Sequence, residues 1–385
     1  MNKLFASLPT TVFETMSQLA REHEAINLGQ GFPDDPGPDD VRQAAAVAVY
    51  EGWNQYPPMP GLPELRQAIA AHYARFQQVE LDWQQEVLVT SGATEALAAS
   101  LLALIEPGDE VVLFQPMYDA YLPLVQRAGG VPRFVTLEPP HWRFGAEQLE
   151  RAFTPRTRVV LLNTPLNPAG AMVAREDLEL LADFVERHDA TVICDEVWEH
   201  ITFDGEEHCS LLSIPRLRER TVKIGSAGKI FSLTGWKVGL VAAAPPLMTV
   251  VARAHQYLTF TTPPNLQVAV AYGLGKEESF FTGQRERLQA QRDRFAKGLE
   301  QLGLKVLPCR ATYFLNVDIA PLGLSDDVAF CAQLVREAGV AAIPVSAFYA
   351  EEKVTTAVRF CFAKADEVLD GALERLADFV RREGL

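Results

Sequence analysis

The 385-residue sequence is poor in features of secreted and membrane proteins. Its five cysteines (Cys194, Cys209, Cys309, Cys331 and Cys361) form no C-x-x-C pair, which speaks against a disulfide framework and favours a reducing compartment. The first ten residues carry one lysine, an early Pro9 and no long apolar run, so they read as neither signal peptide nor membrane anchor. Cytoplasm is therefore the expected location. Positive charge is also scarce: 35 Lys and Arg stand against 50 Asp and Glu, a net charge of −15. A nucleic-acid or anionic-membrane surface is not expected from such a chain. No repeat or low-complexity tract occurs, and no metal site is expected.

What is present suits a globular enzyme of two lobes, with 48% hydrophobic and 22% charged residues. Short runs rich in Val, Ile and Leu predict strands at Glu86–Thr90, Glu110–Phe114, Val159–Asn163, Thr191–Cys194, Val222–Ile224 and Val238–Ala242. Helical patterns lie between them, as in Glu95–Ile105, Tyr118–Ala128 and Glu176–His188. The alternation predicts an α/β domain whose mostly parallel sheet is flanked by helices. We place this large domain at residues 41–280, after an arm (1–40) whose Gly29–Pro38 stretch is a loop that belongs partly to the small domain. From about Phe281 a smaller α+β domain (281–385) is expected. It would hold helices at Arg285–Gly303, Asp326–Ala338 and Ala365–Arg382, with strands at Tyr313–Val317, Val340–Pro344 and Ala357–Cys361.

Four segments carry chemistry. Ser226-Ala227-Gly228-Lys229 follows one buried strand and leads, through Lys237, into another. Small residues leave room for a planar ligand, and apolar neighbours would lower the lysine pKa towards the neutral amine that imine chemistry needs. A glycine-rich surface loop with a solvated lysine fits the stretch equally well. Asp195 follows four apolar or β-branched residues, at the strand end where open α/β sheets bind ligands; a helix N-cap is the plainer reading. Asn163-Thr164-Pro165-Leu166-Asn167-Pro168 offers two neutral amides on a stiffened backbone, or simply a turn. Ser91-Gly92-Ala93-Thr94 joins a strand to a helix, where free backbone N–H groups can cradle a phosphate.

Together these segments resemble class I/II aminotransferases of the fold-type I superfamily that depends on pyridoxal phosphate (PLP). The resemblance runs from the N-L-G-Q-G-F-P loop at Asn27 to Val358-Arg359-Phe360-Cys361-Phe362. Within the superfamily the chain looks closest to the kynurenine/glutamine and bacterial methionine aminotransferase branch. It shares with that branch Asn54-Gln55-Tyr56-Pro57, His255-Gln256-Tyr257-Leu258-Thr259-Phe260 and Ile343-Pro344-Val345-Ser346-Ala347-Phe348-Tyr349. The resemblance implies that Lys229 carries PLP as a Schiff base and moves the substrate proton. It implies that Asp195 pairs with the pyridine nitrogen, Tyr118 stacks on the ring and Asn167 donates to the phenolic oxygen. Asn163 would contact substrate. Gly92, Ala93, Thr94, Ser226 and Lys237 would hold the phosphate, with Tyr56 reaching the phosphate of the other subunit, which implies a homodimer. Arg359 would fork the substrate α-carboxylate beside Gly31.

At one position the sequence departs from the family. The strand acid is usually followed by D-E-x-Y, whereas here Trp198 stands where the tyrosine hydroxyl would donate to the phenolate. Either the indole N–H donates, or Asn167 serves alone, or Trp198 turns into packing with the register shifted. The expectation is a Schiff-base pKa unlike that of tyrosine-bearing relatives. Phe13, Phe32, Tyr257 and Phe260, with no Arg or Lys among the expected pocket segments, suggest a neutral, apolar or aromatic amino acid such as methionine, phenylalanine, glutamine or kynurenine. Aromatic packing in the core or dimer is the plainer fate of each of these residues. The reaction implied is ping-pong transfer to a 2-oxo acid. A cysteine-conjugate C–S β-lyase on the same scaffold is the alternative.

Overall fold

The computed structural model describes residues 1–384. Its main sheet has seven strands: β1 (Val87–Thr90), β2 (Glu110–Gln115), β3 (Val131–Thr136), β4 (Thr157–Asn163), β5 (Thr191–Asp195), β6 (Thr221–Ser226) and β7 (Gly239–Ala243). Across the sheet they lie in the order β1-β7-β6-β5-β4-β2-β3, and only β7 runs antiparallel to its neighbours. The apolar runs are continuous because both faces of the sheet are covered. On one face Val111, Leu113, Leu161, Ile193 and Ile224 pack with Leu97 and Leu101 of the helix Ala93–Leu104. On the other, Val112, Leu162, Val192 and Cys194 meet Leu178 and Leu181 of the helix Arg175–Arg187.

A second sheet has four antiparallel strands in the order Ile343–Pro344, Ala357–Cys361, Phe314–Asp318, Lys305–Val306. Helices Glu278–Gln301 and Asp366–Glu383 close its core through Phe295, Leu299, Leu376 and Phe379. The arm joins this same core. Its helix Val12–Glu22, capped by Thr11, buries Met16 and Ala20, and Ile26–Asn27 then pairs in parallel with Val340–Ala341. Among the described residues no helix is long and apolar enough to cross a membrane.

Four expectations change. The helix expected at Arg285–Gly303 runs over Glu278–Gln301, so it starts inside the stretch assigned to the large domain. The strand Val131–Thr136 was not foreseen, because Pro132 interrupts its pattern; β3 lies at the sheet edge, where a missing N–H is tolerated. The segment Val340–Pro344 is not one strand. It changes partner at Ala342, pairing first with Ile26–Asn27 and then with Val358–Arg359. The helix expected from Tyr118 begins at Tyr121, which leaves Tyr118 in the preceding loop.

This topology gathers the site. β2, β4, β5 and β6 run parallel, so Asn163, Asp195 and Ser226 end at one edge of the sheet. β1 also ends there, because β7 is antiparallel to both β1 and β6. Gly239 opens β7 opposite Thr90 and Ser226. A Cβ on it would overlap the Thr90 hydroxyl and sit 2.7 Å from the Gly92 carbonyl carbon. Gly239→Ala is therefore expected to lower stability by about 1–3 kcal/mol, read as a lower urea midpoint with an unchanged slope.

Candidate active site

The strand ends surround a cavity of about 360 Å³. At its floor Lys229 projects from a short helix, Ala227–Ile230, that follows β6 directly. Burial lowers its amine to about 8, helped by Arg359 and Lys237 and opposed by Cys361 and Asp195. The amine lies 2.9 Å from the Tyr313 hydroxyl and 4.6 Å from the centre of the Trp198 ring.

Asp195 is 5% exposed and accepts a hydrogen bond from the Tyr121 hydroxyl at 2.5 Å and one from the Val197 N–H at 3.3 Å. Burial raises its pKa, with Tyr121, Val197 and Lys229 pulling the other way. Its neighbour Glu196 points to the opposite side of the strand. There it meets the buried Lys223 at 3.3 Å and His208 at 2.7 Å, while Glu199 meets Lys223 at 2.5 Å. Burial alone would raise Glu196, but Lys223 and His208 hold its carboxylate at about 2. Strand alternation thus sends one acid to the cavity and locks the other in an ion cluster behind it.

At the opposite wall, Arg359 comes from the central pair of the small sheet and is 1% exposed. Nη1 donates to Asn167 Oδ1 at 3.0 Å and Nη2 to the Gly29 carbonyl at 2.9 Å, while Nε has no partner. The guanidinium lies 4.0 Å from the centre of the Phe314 ring. Burial draws it down to about 10, still cationic at neutral pH. Among the described residues no carboxylate lies within ion-pair distance of it. Asn163 braces this wall: its amide donates to the Asp195 carbonyl and its oxygen accepts from the Asn167 N–H, both at 2.8 Å.

The third wall is the turn after β1. Gly92 (φ 83°) opens the helix Ala93–Leu104, whose first amides have no carbonyl one turn back. Lys237, itself at φ 56°, brings its Cε to 3.2 Å from where a Gly92 Cβ would lie. The turn therefore offers N–H groups, a helix N-terminus and an ammonium to one anion.

Fourteen of the eighteen residues named from the sequence line this cavity: all except Phe32, Tyr56, Tyr257 and Phe260. Tyr56 and Phe260 are 79% and 40% exposed and meet each other edge to face at 5.6 Å, away from the cavity of their own chain. Phe13 lines the cavity from the arm helix, with its ring 5.7 Å from that of Phe348. The Trp198 ring also lines it, packed edge-on against Tyr313 at 4.5 Å, and its N–H has no partner among the described residues. Sequence reasoning missed Tyr121, Tyr313, Phe314 and Gln30. Tyr121 was within reach of it, standing three residues after Tyr118 at the head of a helix.

Such an arrangement suits an enzyme that holds a cofactor. Residues 23–376 match the family model for aminotransferase class I and II, and the chain belongs to that family. A solved methionine aminotransferase structure from Escherichia coli is 41% identical over 98% of this chain and 99% of its own, with a TM-score of 0.95. The N-succinyldiaminopimelate aminotransferase structure of Mycobacterium tuberculosis is 44% identical, covering 98% and 99%, also with a TM-score of 0.95. Human kynurenine–oxoglutarate transaminase 1 is 37% identical over 93% of each chain. The protein is thus a fold-type I, PLP-dependent transaminase.

The cavity fits that cofactor. A buried carboxylate with a raised pKa calls for a cationic N–H opposite, and the Gly92 turn calls for a phosphate. Because Lys229 is lowered to about 8, capture of PLP by the apoprotein should rise with pH and reach half its maximum near that value. An ordinary lysine would titrate near ~10.4. Stopped-flow absorbance against pH checks this, and a midpoint near the ordinary lysine value would refute the desolvated amine.

Proposed function

We propose that the protein transfers the amino group of a neutral, apolar or aromatic L-amino acid to a 2-oxo acid, in two half-reactions at this cavity. The observation that carries the reading is which cations line it: among the described residues, only Lys229, Lys237 and Arg359. Each has a task. Lys229 anchors the cofactor, Lys237 neutralises its phosphate and Arg359 grips the α-carboxylate, so no cation is left for a second carboxylate. Around Arg359 the walls are aromatic, with Phe314, Phe348 and Phe13 ring centres 4.0, 5.0 and 5.3 Å from the guanidinium carbon.

When bound, PLP supplies an electron sink that makes the substrate Cα–H acidic. Asp195, kept in place by Tyr121, holds a proton on the ring nitrogen. Asn167 gives its oxygen to Arg359, which leaves its NH2 group as the donor that would serve the phenolic oxygen of the bound cofactor. That one side chain thus orients the carboxylate grip and the ring together. Lys229, displaced as a free amine, takes the Cα proton and returns it two atoms away, so the chain gains and loses no proton.

A second copy of the chain completes the site in this reading. Trp53, Tyr56 and Tyr257 are 79%, 79% and 84% exposed and lie with Phe260 on the surface. So many exposed aromatics suit an interface. Tyr56 is the side chain we assign to the neighbour's phosphate. All five cysteines are free, in keeping with a reducing, cytoplasmic setting.

The named substrate of the Mycobacterium relative carries further carboxylates, so a half-reaction screen decides between substrate classes. Loss of the cofactor's visible band should be about 10²-fold faster, or more, with methionine, phenylalanine, glutamine or kynurenine than with aspartate or N-succinyldiaminopimelate. A faster dicarboxylate would overturn the assignment. Pyruvate and ammonia released from a cysteine conjugate without any 2-oxo acid would mark the β-lyase instead. Sedimentation at micromolar concentration should give twice the chain mass of 42.5 kDa. A monomer carrying full activity would sink the shared site.

A further inference from the structure

Among the described residues, Tyr313 holds the one side-chain hydroxyl bonded to the Lys229 amine. It stands just before the strand Phe314–Asp318 of the small sheet and is 1% exposed. Its oxygen lies 2.9 Å from Lys229 Nζ and 2.8 Å from the Gly31 carbonyl oxygen. A phenol has one proton and a carbonyl can only accept, so the Tyr313 hydroxyl donates to Gly31. Its lone pair then accepts an N–H from Lys229. The Gly31 oxygen is also 3.5 Å from the same amine. Burial keeps the phenol far above its ordinary pKa, so Tyr313 retains its proton and offers only that lone pair.

The contact is a fixed one. The Trp198 ring stands edge-on to Tyr313 at 4.5 Å and 88°, and the Phe314 ring meets it at 5.0 Å. Trp198 carries no hydroxyl, and the hydroxyl facing the amine comes from the small-sheet side. Three segments distant in the chain, the lysine helix, the small sheet and the Gly31 loop, thus meet in one line: Lys229 to Tyr313 to Gly31.

We propose that Tyr313 is a positioning residue, and that its hydroxyl is the seat on which the Lys229 amine rests whenever substrate has displaced it from the cofactor. The inference rests on the transaminase reading, in which Lys229 is displaced once per cycle and serves as a free amine in both half-reactions. A free lysine amine ends a flexible four-carbon stem, and a seat confines it near the carbon whose proton it must take. When Lys229 takes up that proton, the resulting ammonium keeps its bond to Tyr313, and the same proton is later returned. Tyr313 itself neither gains nor loses one. Because Gly31 lies in the loop assigned to the substrate carboxylate, the seat also ties the lysine to the segment that senses substrate.

Tyr313→Phe removes one oxygen and keeps the ring. The first readout is the apoprotein: reductive methylation of Lys229 by formaldehyde, followed by peptide mass, against pH. Losing an acceptor from the ammonium should move the methylation midpoint down by about one pH unit. The second is single turnover of protiated and α-deuterated amino donor. The proton-shift rate should fall about 10–100-fold with a larger isotope effect, and KM should change less than about threefold.

An unmoved midpoint and an unmoved rate, in a variant with the wild-type Tm, would overturn the seat. Should the variant not fold, wild-type protein with 3-fluorotyrosine at all nine tyrosines makes the same test, since a less basic hydroxyl must also lower the midpoint. A wild-type enzyme that responds to no amino acid would instead refute the transaminase reading. The methylation result stands apart from that outcome.

Discussion

A guanidinium buried without a carboxylate partner is the constraint around which this molecule is organised. Arg359 is 1% exposed and its polar contacts are all neutral: the Asn167 amide and the Gly29 carbonyl. Desolvating such a charge is costly, and neutral acceptors with three aromatic rings around it offset only part of the cost. In the function proposed above, the remainder is relieved by the carboxylate of the substrate. Those same neutral contacts come from the loop after β4 and from the arm. One side chain of the small sheet thereby fastens the large sheet and the N-terminal segment around a single point.

The acid side of the site follows a parallel logic. Asp195 and Glu196 are adjacent, yet only Asp195 reaches the cavity. Glu196 spends its charge on Lys223 and His208 inside the large domain. A chain of net charge −15 therefore presents a cavity whose lining cations outnumber its carboxylates, Lys229, Lys237 and Arg359 against Asp119 and Asp195. Local placement decides here, and overall charge does not.

What could be read in the sequence was whatever a short segment carries by itself. Asp195 ends a buried strand, and Lys229, Asn167 and the Gly92 turn each lie within four residues beyond one; the topology of a parallel sheet brings such ends together without further instruction. The α/β alternation was legible for the same reason, because continuous apolar runs mark strands covered on both faces. Tyr313 was not legible. Its partners Lys229 and Gly31 lie 84 and 282 residues away, so nothing local distinguishes it from a core tyrosine. Pro132 misled for a physical reason, since the rule against proline in strands does not hold at an edge. Trp198 was noticed as a departure, but its edge-on stacking against Tyr313 depends on a sheet that forms later in the chain.

That edge strand has another consequence. A seven-stranded sheet of this hydrophobicity would be a template for any passing extended chain if its rims were open. On the β3 side Pro132 removes a donor and Arg133 adds a charge. Along the outer rim of β1, the Val89 N–H donates to the Pro60 carbonyl, and the Val87 carbonyl accepts from Arg66. Each rim thus carries features that hinder pairing with a further extended chain.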